Sequence, residues 1–304
     1  MMSENKLKLT AYAHSLDAFE QLKLRGFEYV ALHPMLFPGI EMGMIPGDQA
    51  VESVVSQLNK SKLEPTDLVT FNAWNALGLS GVMEQLPSSP LDPEYEIARR
   101  RGVTQFTKLI KLARKFGCKQ IYSQMGGRPL YHLDHEEAWT KSVRELDPVL
   151  EEEGIKLAFM PHPGDFIEES NPCVDLITES GCKNIRYIYV VPHTYVLAGR
   201  MEADPSAMIR YASEQGVLSE IHMADSIKPV QAWIRDHLDI ISLHSHLVPG
   251  KGSLNIDDIV RTLVSTGFDG PVIMIAYRYG ITGKSFVDLA VESKDYVENI
   301  LADM

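Results

Sequence analysis

A parallel eight-stranded (β/α)8 TIM barrel, one domain over residues 1–304, is predicted by three features of the sequence: eight short apolar or alternating segments, amphipathic stretches between them, and a first strand with no glycine-rich turn after it. Strands that alternate with crossover helices build a parallel sheet, and eight such units in a chain of 304 residues have the size of a closed barrel. The turn after the first strand reads "HSLDAFEQL", which argues against a doubly wound dinucleotide fold.

The first unit pairs "LKLTAYA" (7–13) with a helix over "SLDAFEQLKLRG" (15–26), and the second pairs "EYVALH" (28–33) with "DQAVESVVSQLNKS" (48–61). "TDLVTFN" (66–72) precedes a long helical pattern at 96–117, and "KQIYSQM" (119–125) precedes another at 135–154. "IKLAFM" (155–160) and "NPCVDLITESG" (171–181) form the fifth unit, and "IRYIYVV" (185–191) and "DPSAMIRYASEQG" (204–216) form the sixth. "SEIHMAD" (219–225) is followed by "NIDDIVRTLVSTG" (255–267), and "PVIMIAY" (271–277) by the terminal helix at 284–304. Several of these helices stop at glycine, the residue that most easily takes the left-handed conformation of a C-terminal cap.

With 45% hydrophobic and 23% charged residues, the composition is that of a globular protein with a sizeable core. A net charge of −12 argues against a surface built to neutralise nucleic-acid phosphates, though it leaves room for a deep local basic site. The N-terminal residues lack the apolar core of a signal peptide, no apolar run approaches membrane-spanning length, and the cysteines Cys118, Cys173 and Cys182 follow no metal-ligand or disulfide pattern. A reducing cytoplasm is the expected compartment, with no membrane or nucleic-acid partner.

A barrel of this kind gathers its chemistry at the C-terminal ends of its strands. Most of the ten histidines fall there: His14, His33, His162, His193, His222, and the pair His244 and His246 ahead of a Pro-Gly-x-Gly turn. Asn72, Gln124, Asp165 and Asp225 occupy equivalent positions, and Arg128 follows in "MGGRP". In an extended segment His244 and His246 point to the same side. With His193 they offer three imidazoles to a divalent metal (Zn, Mn or Fe) with an open coordination position, the alternative being ordinary hydrogen bonding at the mouth.

Four stretches carry a resemblance to a known family: "IKLAFMPHPGDF", "VPHTY", "SEIHMADS" and "HSHLVPGKGSLNIDDIVRTLVSTGFDGPVIM". They resemble the xylose-isomerase-like TIM-barrel superfamily of sugar isomerases and epimerases, nearest its inositol-catabolism IolH-type and C-glycoside deglycosidase-type branch. The resemblance implies a carbohydrate or polyol substrate. It also implies a metal held by a Glu, an Asp, a His and a Glu on strands five to eight, and the matching residues here are Met160, Val190, His222 and Ala276. Three of those ligands are missing. A second pattern in the superfamily, the endonuclease IV arrangement, uses the strand-six histidine and an Asp-x-His segment, which match His193, His244 and His246 with histidine in place of the Asp.

Isomerisation, epimerisation and elimination beside a ketone share the removal of a proton alpha to a carbonyl. His162 is the expected base, with Asp165 as its orienting partner, as a contact to a substrate hydroxyl, or as a cap of the next helix. Gln124, Arg128, His222 and Asp225 are the expected substrate contacts, and Phe71, Trp74 and Tyr277 are candidates to stack on a sugar ring, each with burial as its alternative. The expected function is a sugar or polyol-derivative isomerase, epimerase or carbon–oxygen lyase working by metal-assisted proton abstraction. The alternative is a barrel that has lost catalysis and serves as a binding or partner subunit. Association as a homo-oligomer or hetero-complex is open to the chain, and the long terminal helix could take part in it.

Overall fold

The computed structural model describes residues 7–80, 93–127, 134–199, 202–228, 245–276 and 283–304. Eight parallel strands close on themselves in sequence order, β1 pairing with β8 through Lys8 opposite Pro271 and Ala11 opposite Met274. The strands are β1 (Lys8–Ala13), β2 (Tyr29–Leu32), β3 (Glu64–Val69), β4 (Gln120–Gln124), β5 (Lys156–Met160), β6 (Ile185–Val190), β7 (Leu218–Met223) and β8 (Pro271–Met274). The helices are α1 (Ala18–Leu24), α2 (Asp48–Ser61), α3 (Ala73–Ala76), α4 (Pro93–Phe116), α5 (His135–Glu153), α6 (Ser170–Glu179), α7 (Thr194–Leu197), α8 (Pro205–Glu214), α9 (Ile256–Ser265) and α10 (Phe286–Ala302).

Side-chain oxygens start the helices by accepting orphan backbone N–H groups. Asp134 accepts from Glu137, Asp204 from Ala207 and Asn255 from Asp258, while Ser285 and Asp288 form a reciprocal box at α10. Asp257 and Asp258 fall in the first turn of α9, where negative charge is favoured.

The third strand differs from expectation: it begins at Glu64 and ends at Val69. Beyond its end Phe71 takes φ +36°, outside the extended range, although its carbonyl oxygen still accepts the N–H of Gln124 at 2.8 Å. Short helical turns that periodicity cannot announce follow several strands, at Pro34–Leu36, Ile40–Met42, Ala73–Ala76, Val191–His193 and Thr194–Leu197.

The core has two parts. Between sheet and helices pack Trp74, Trp139, Phe106 and Phe159, with Phe159 edge-on to both tryptophans at 4.7 and 5.1 Å between ring centroids. Inside the barrel stand Tyr12, Ala31, Val69, Tyr122, Ala158, Met160, Ile188, Val190, Ala224, Ile273 and Ile275. Side chains two residues apart on a strand share a face. Each strand therefore carries one inward series toward the mouth, among them Gln120, Tyr122 and Gln124 on β4 and Glu220 and His222 on β7, continued by Ala224 just beyond it.

Candidate active site

At the C-terminal mouth lies a cavity of about 170 Å³ lined by Tyr12, Glu41, Phe71, Asn72, Gln124, Met160, His162, Val190, His193, His222, His246 and Ile275. Most of these residues extend the inward series of their strands, so the cavity is the open end of the barrel lumen. His162 and His193 stand with ring centroids 5.3 Å apart and planes at 81°, and His193 and His246 at 5.4 Å and 90°. His246 takes φ +36°, as Phe71 does. Such strain in non-glycine residues persists only where surrounding structure imposes it, and two of the three described cases line this cavity.

Two carboxylates hold the loops. Asp225, fully buried, accepts backbone N–H groups from Ser226, Gly250, Gly252 and Leu254 at 2.8 to 3.1 Å. The backbones of Asp225 and Leu247 exchange hydrogen bonds of 2.7 and 2.9 Å, which seats His246 beside the end of β7. Asp225 thus spends its oxygens on the Pro-Gly-x-Gly turn and does not line the cavity. Asp165 plays a similar part after β5: it accepts from the backbone N–H of His162 at 3.1 Å and does not cap the next helix, whose N-cap position is Glu169. Burial pushes Asp165 well above the usual carboxylate range. The ring of His162 has its Nδ1 3.0 Å from the carbonyl oxygen of Pro163.

Beneath the cavity lies a polar cluster that the sequence reading passed over. Gln120 Nε2 donates to Asp67 Oδ1 at 2.8 Å and to Glu220 Oε2 at 2.6 Å, and Glu220 Oε1 meets His222 Nε2 at 2.5 Å. Tyr12 and Tyr122 share a short hydroxyl hydrogen bond, and each ring is edge-to-face with that of His222. Burial drives the acids and the base in opposite directions, Glu220 up and His222 down, so both favour their neutral forms. Asp67 is raised well above its ordinary range by burial and then by Glu220. To one side, His14 and His33 pack at 4.3 Å, with His14 stacked on Phe286 at 4.2 Å.

Gln124, His162, His193, His222 and His246 are therefore brought together, while Asp165 and Asp225 support the loops around them. Trp74 is buried under α4, its Nε1 donating to Ser80 Oγ at 2.6 Å, and is not available to stack on a ligand; Phe71 is. His244, Arg128 and Tyr277 lie outside the described residues. Glu41, on the turn after β2, was not anticipated; burial raises its carboxyl above the usual range.

A family model described as the xylose isomerase-like TIM barrel matches residues 19–298. The chain belongs to that family. Within reach of the xylose isomerase-like barrels, it is 21% identical over 273 residues to the rhizopine catabolism protein MocC of Rhizobium meliloti, covering 81% of each chain. Among solved structures it resembles the IOLI protein with a bound zinc atom (TM-score 0.70, 14% identity, 98% of this chain and 99% of that one). It also resembles D-psicose 3-epimerase from Clostridium cellulolyticum H10 (TM-score 0.68, 18% identity, 97% and 96%). At these identities the structural likeness is one of fold.

The usual four-ligand metal set of xylose isomerase-like barrels does not fit this chain. Met160, Val190 and Ala276 place thioether and hydrocarbon at three of its positions, all buried, and none offers the hard or nitrogen donor that Zn, Mn or Mg takes. His193 and His246 are neighbours, as the shifted trio requires, but His244 is outside the described residues. Among the described residues no three His, Cys, Asp or Glu side chains are arranged to hold a metal ion. No described helix is long and apolar enough to cross a membrane.

Proposed function

We propose that this barrel catalyses proton transfer beside the carbonyl of a sugar or polyol derivative, as an isomerase, an epimerase or a carbon–oxygen lyase. The observation that carries the reading is the convergence of His162, His193, His222 and His246 on one cavity at the mouth of a xylose isomerase-like barrel. His162 is the base that takes the α-proton, held by the turn that Asp165 fastens. His193, His246 and Gln124 orient the substrate's hydroxyl groups. Glu41 follows β2 and His162 follows β5, so the two enter the cavity from well-separated parts of the rim. A carboxyl that keeps its proton to higher pH than usual can then return a proton on another face. No step is routed through a metal, because the residues at the family's ligand positions do not supply one.

Incubation in D2O with ketohexoses, keto-glycosides and keto-inositols, followed by proton NMR, tests this. Deuterium enters the carbon next to the carbonyl of at least one compound, and the rate falls about 10²-fold or more in His162→Ala. Met160, Val190 and Ala276 favour a second reading, a non-catalytic binding subunit. Binding of such a compound without exchange supports that reading and sinks the first.

A further inference from the structure

Outside the cavity, α4 carries a charge imbalance that the chemistry at the mouth does not use. From Ile97 to Lys119 the sequence has eight of its 29 Lys and Arg residues and none of its 41 Asp and Glu residues. Arg101, Lys108, Lys111 and Lys115 are exposed. With Thr104 among them they recur at steps of three and four, which lines them up on one face of the helix along about 21 Å. Arg100 and Arg114, also exposed, flank that ridge. Arg100 pairs with Glu96 and Lys108 reaches the Gln105 amide oxygen, but Arg101, Lys111, Arg114 and Lys115 meet no carboxylate among the described residues.

Beside it, α5 ends with the opposite sign. Glu151, Glu152 and Glu153 fall in its last turn with no basic residue among them, so three carboxylates sit where the helix dipole favours cations. Glu151 accepts from Asn184 Nδ2 at 3.0 Å, whereas Glu152 and Glu153 have no hydrogen-bond or ion-pair partner among the described residues. Glu145, two helical turns before Glu152, holds Arg99 of α4, and a Cβ placed on Gly154 would lie 3.7 Å from Arg114 Nη1. The basic ridge and the acidic end are therefore neighbours. Strands β4 and β5 start at Gln120 and Lys156, directly after them, so both lie toward the base of the barrel, away from the mouth.

We propose that this surface pairs with a second copy of the chain, the basic ridge of each α4 lying against the acidic end of α5 in the other copy. Two adjacent patches of opposite sign are self-complementary: a twofold axis passing between them exchanges them, so that each contact is made twice. A phosphate polymer fits the ridge less well. Laid along α4 it would run beside the carboxylates of α5, and all 41 acidic residues of the chain lie outside the ridge and repel it. Exposed charges give a weak and salt-sensitive pair, and a contact at the base of the barrel leaves both mouths open.

Sedimentation equilibrium of the full-length chain at about 0.02 M and about 0.5 M salt tests this, because the screening length shortens from about 20 Å to about 4 Å. A monomer–dimer equilibrium is expected, its dissociation constant rising about tenfold or more at the higher salt. The triple variant Lys108→Glu, Lys111→Glu, Lys115→Glu and the double variant Glu152→Lys, Glu153→Lys are each expected to be monomeric at low salt. An equimolar mixture of the two should form a heterodimer, since each reversed helix then meets its opposite. A wild-type chain still monomeric at about 0.1 mM and low salt overturns the proposal. So does a dimer indifferent to salt, self-association that survives both reversals, a mixture that stays monomeric, or a monomeric chain that binds heparin through the same lysines. The wild-type salt series decides even if a variant fails to fold.

Discussion

A methyl group on Gly252 would lie 2.3 Å from Oδ1 of Asp225, and 2.4 Å from the carbonyl oxygen of Ser226. The glycine is what lets the Pro-Gly-x-Gly turn close over the Asp225 carboxylate and bring the backbone N–H groups of Gly250, Gly252 and Leu254 to it. That closure holds His246 at the cavity.

Gly252→Ala is expected to cost about 1–3 kcal/mol, because neither the carboxylate nor the backbone carbonyl can retreat in a packed loop. Asp225→Asn turns a donor toward backbone donors and leaves buried N–H groups short of an acceptor, with an expected cost of about 2–4 kcal/mol. Urea midpoints at unchanged slope measure both. A Gly252→Ala variant as stable as wild type contradicts the close approach.

The hydroxyl pair of Tyr12 and Tyr122 sits inside the barrel, and both residues are almost fully buried. Tyr12→Phe and Tyr122→Phe each remove one half of that buried pair, at about 1–3 kcal/mol. The double variant removes the same pair once, so it should cost clearly less than the sum. Strict additivity in that cycle would mean the hydroxyls do not pair.

Stability should fall on the acid side because of partly buried neutral histidines. Burial lowers His14 to about 4, and burial together with the neighbouring His14 lowers His33 to about 3, against an ordinary value of 6.5. Between those values the unfolded chain binds more protons than the folded one. The stability is therefore fully present above about pH 6.5 and drains away as pH falls, at up to about 1.4 kcal/mol per pH unit for each ring. Glu220, raised to about 8 by burial, acts in the opposite sense, its contribution being lost as pH rises from about 4.5 through 8. His33→Asn keeps an acceptor for the Met35 N–H and removes one titrating ring. Its denaturation curves between pH 6.5 and 4 should show a shallower loss than wild type, and an unchanged slope refutes the assignment.

The barrel and the histidines at its mouth were legible because strand and helix periods differ and because strand ends converge by geometry alone. The polar lumen was not. In a closed parallel barrel both faces of a strand are covered, so in "LSEIHMAD" nothing local says whether Glu220 or Ile221 faces inward. Stepping back by two from His222 or from Gln124 would have found Glu220, Tyr122 and Gln120 once the mouth residues were known to face in. Asp165 and Asp225 read as substrate groups because a loop carboxylate that binds backbone amides looks, in sequence, like one that binds a ligand. Glu41 lies on a short turn with no periodicity at all.

The central claim, proton transfer by the chain's own imidazoles without the family's four-ligand metal, is tested most directly by one rate: deuterium entry into a responsive keto compound after exhaustive chelation, compared with the same protein supplied with Zn²⁺, Mn²⁺ or Mg²⁺. The account predicts equal rates, both lost in His162→Ala. An exchange that vanishes on chelation and returns in full with one of these ions would contradict it.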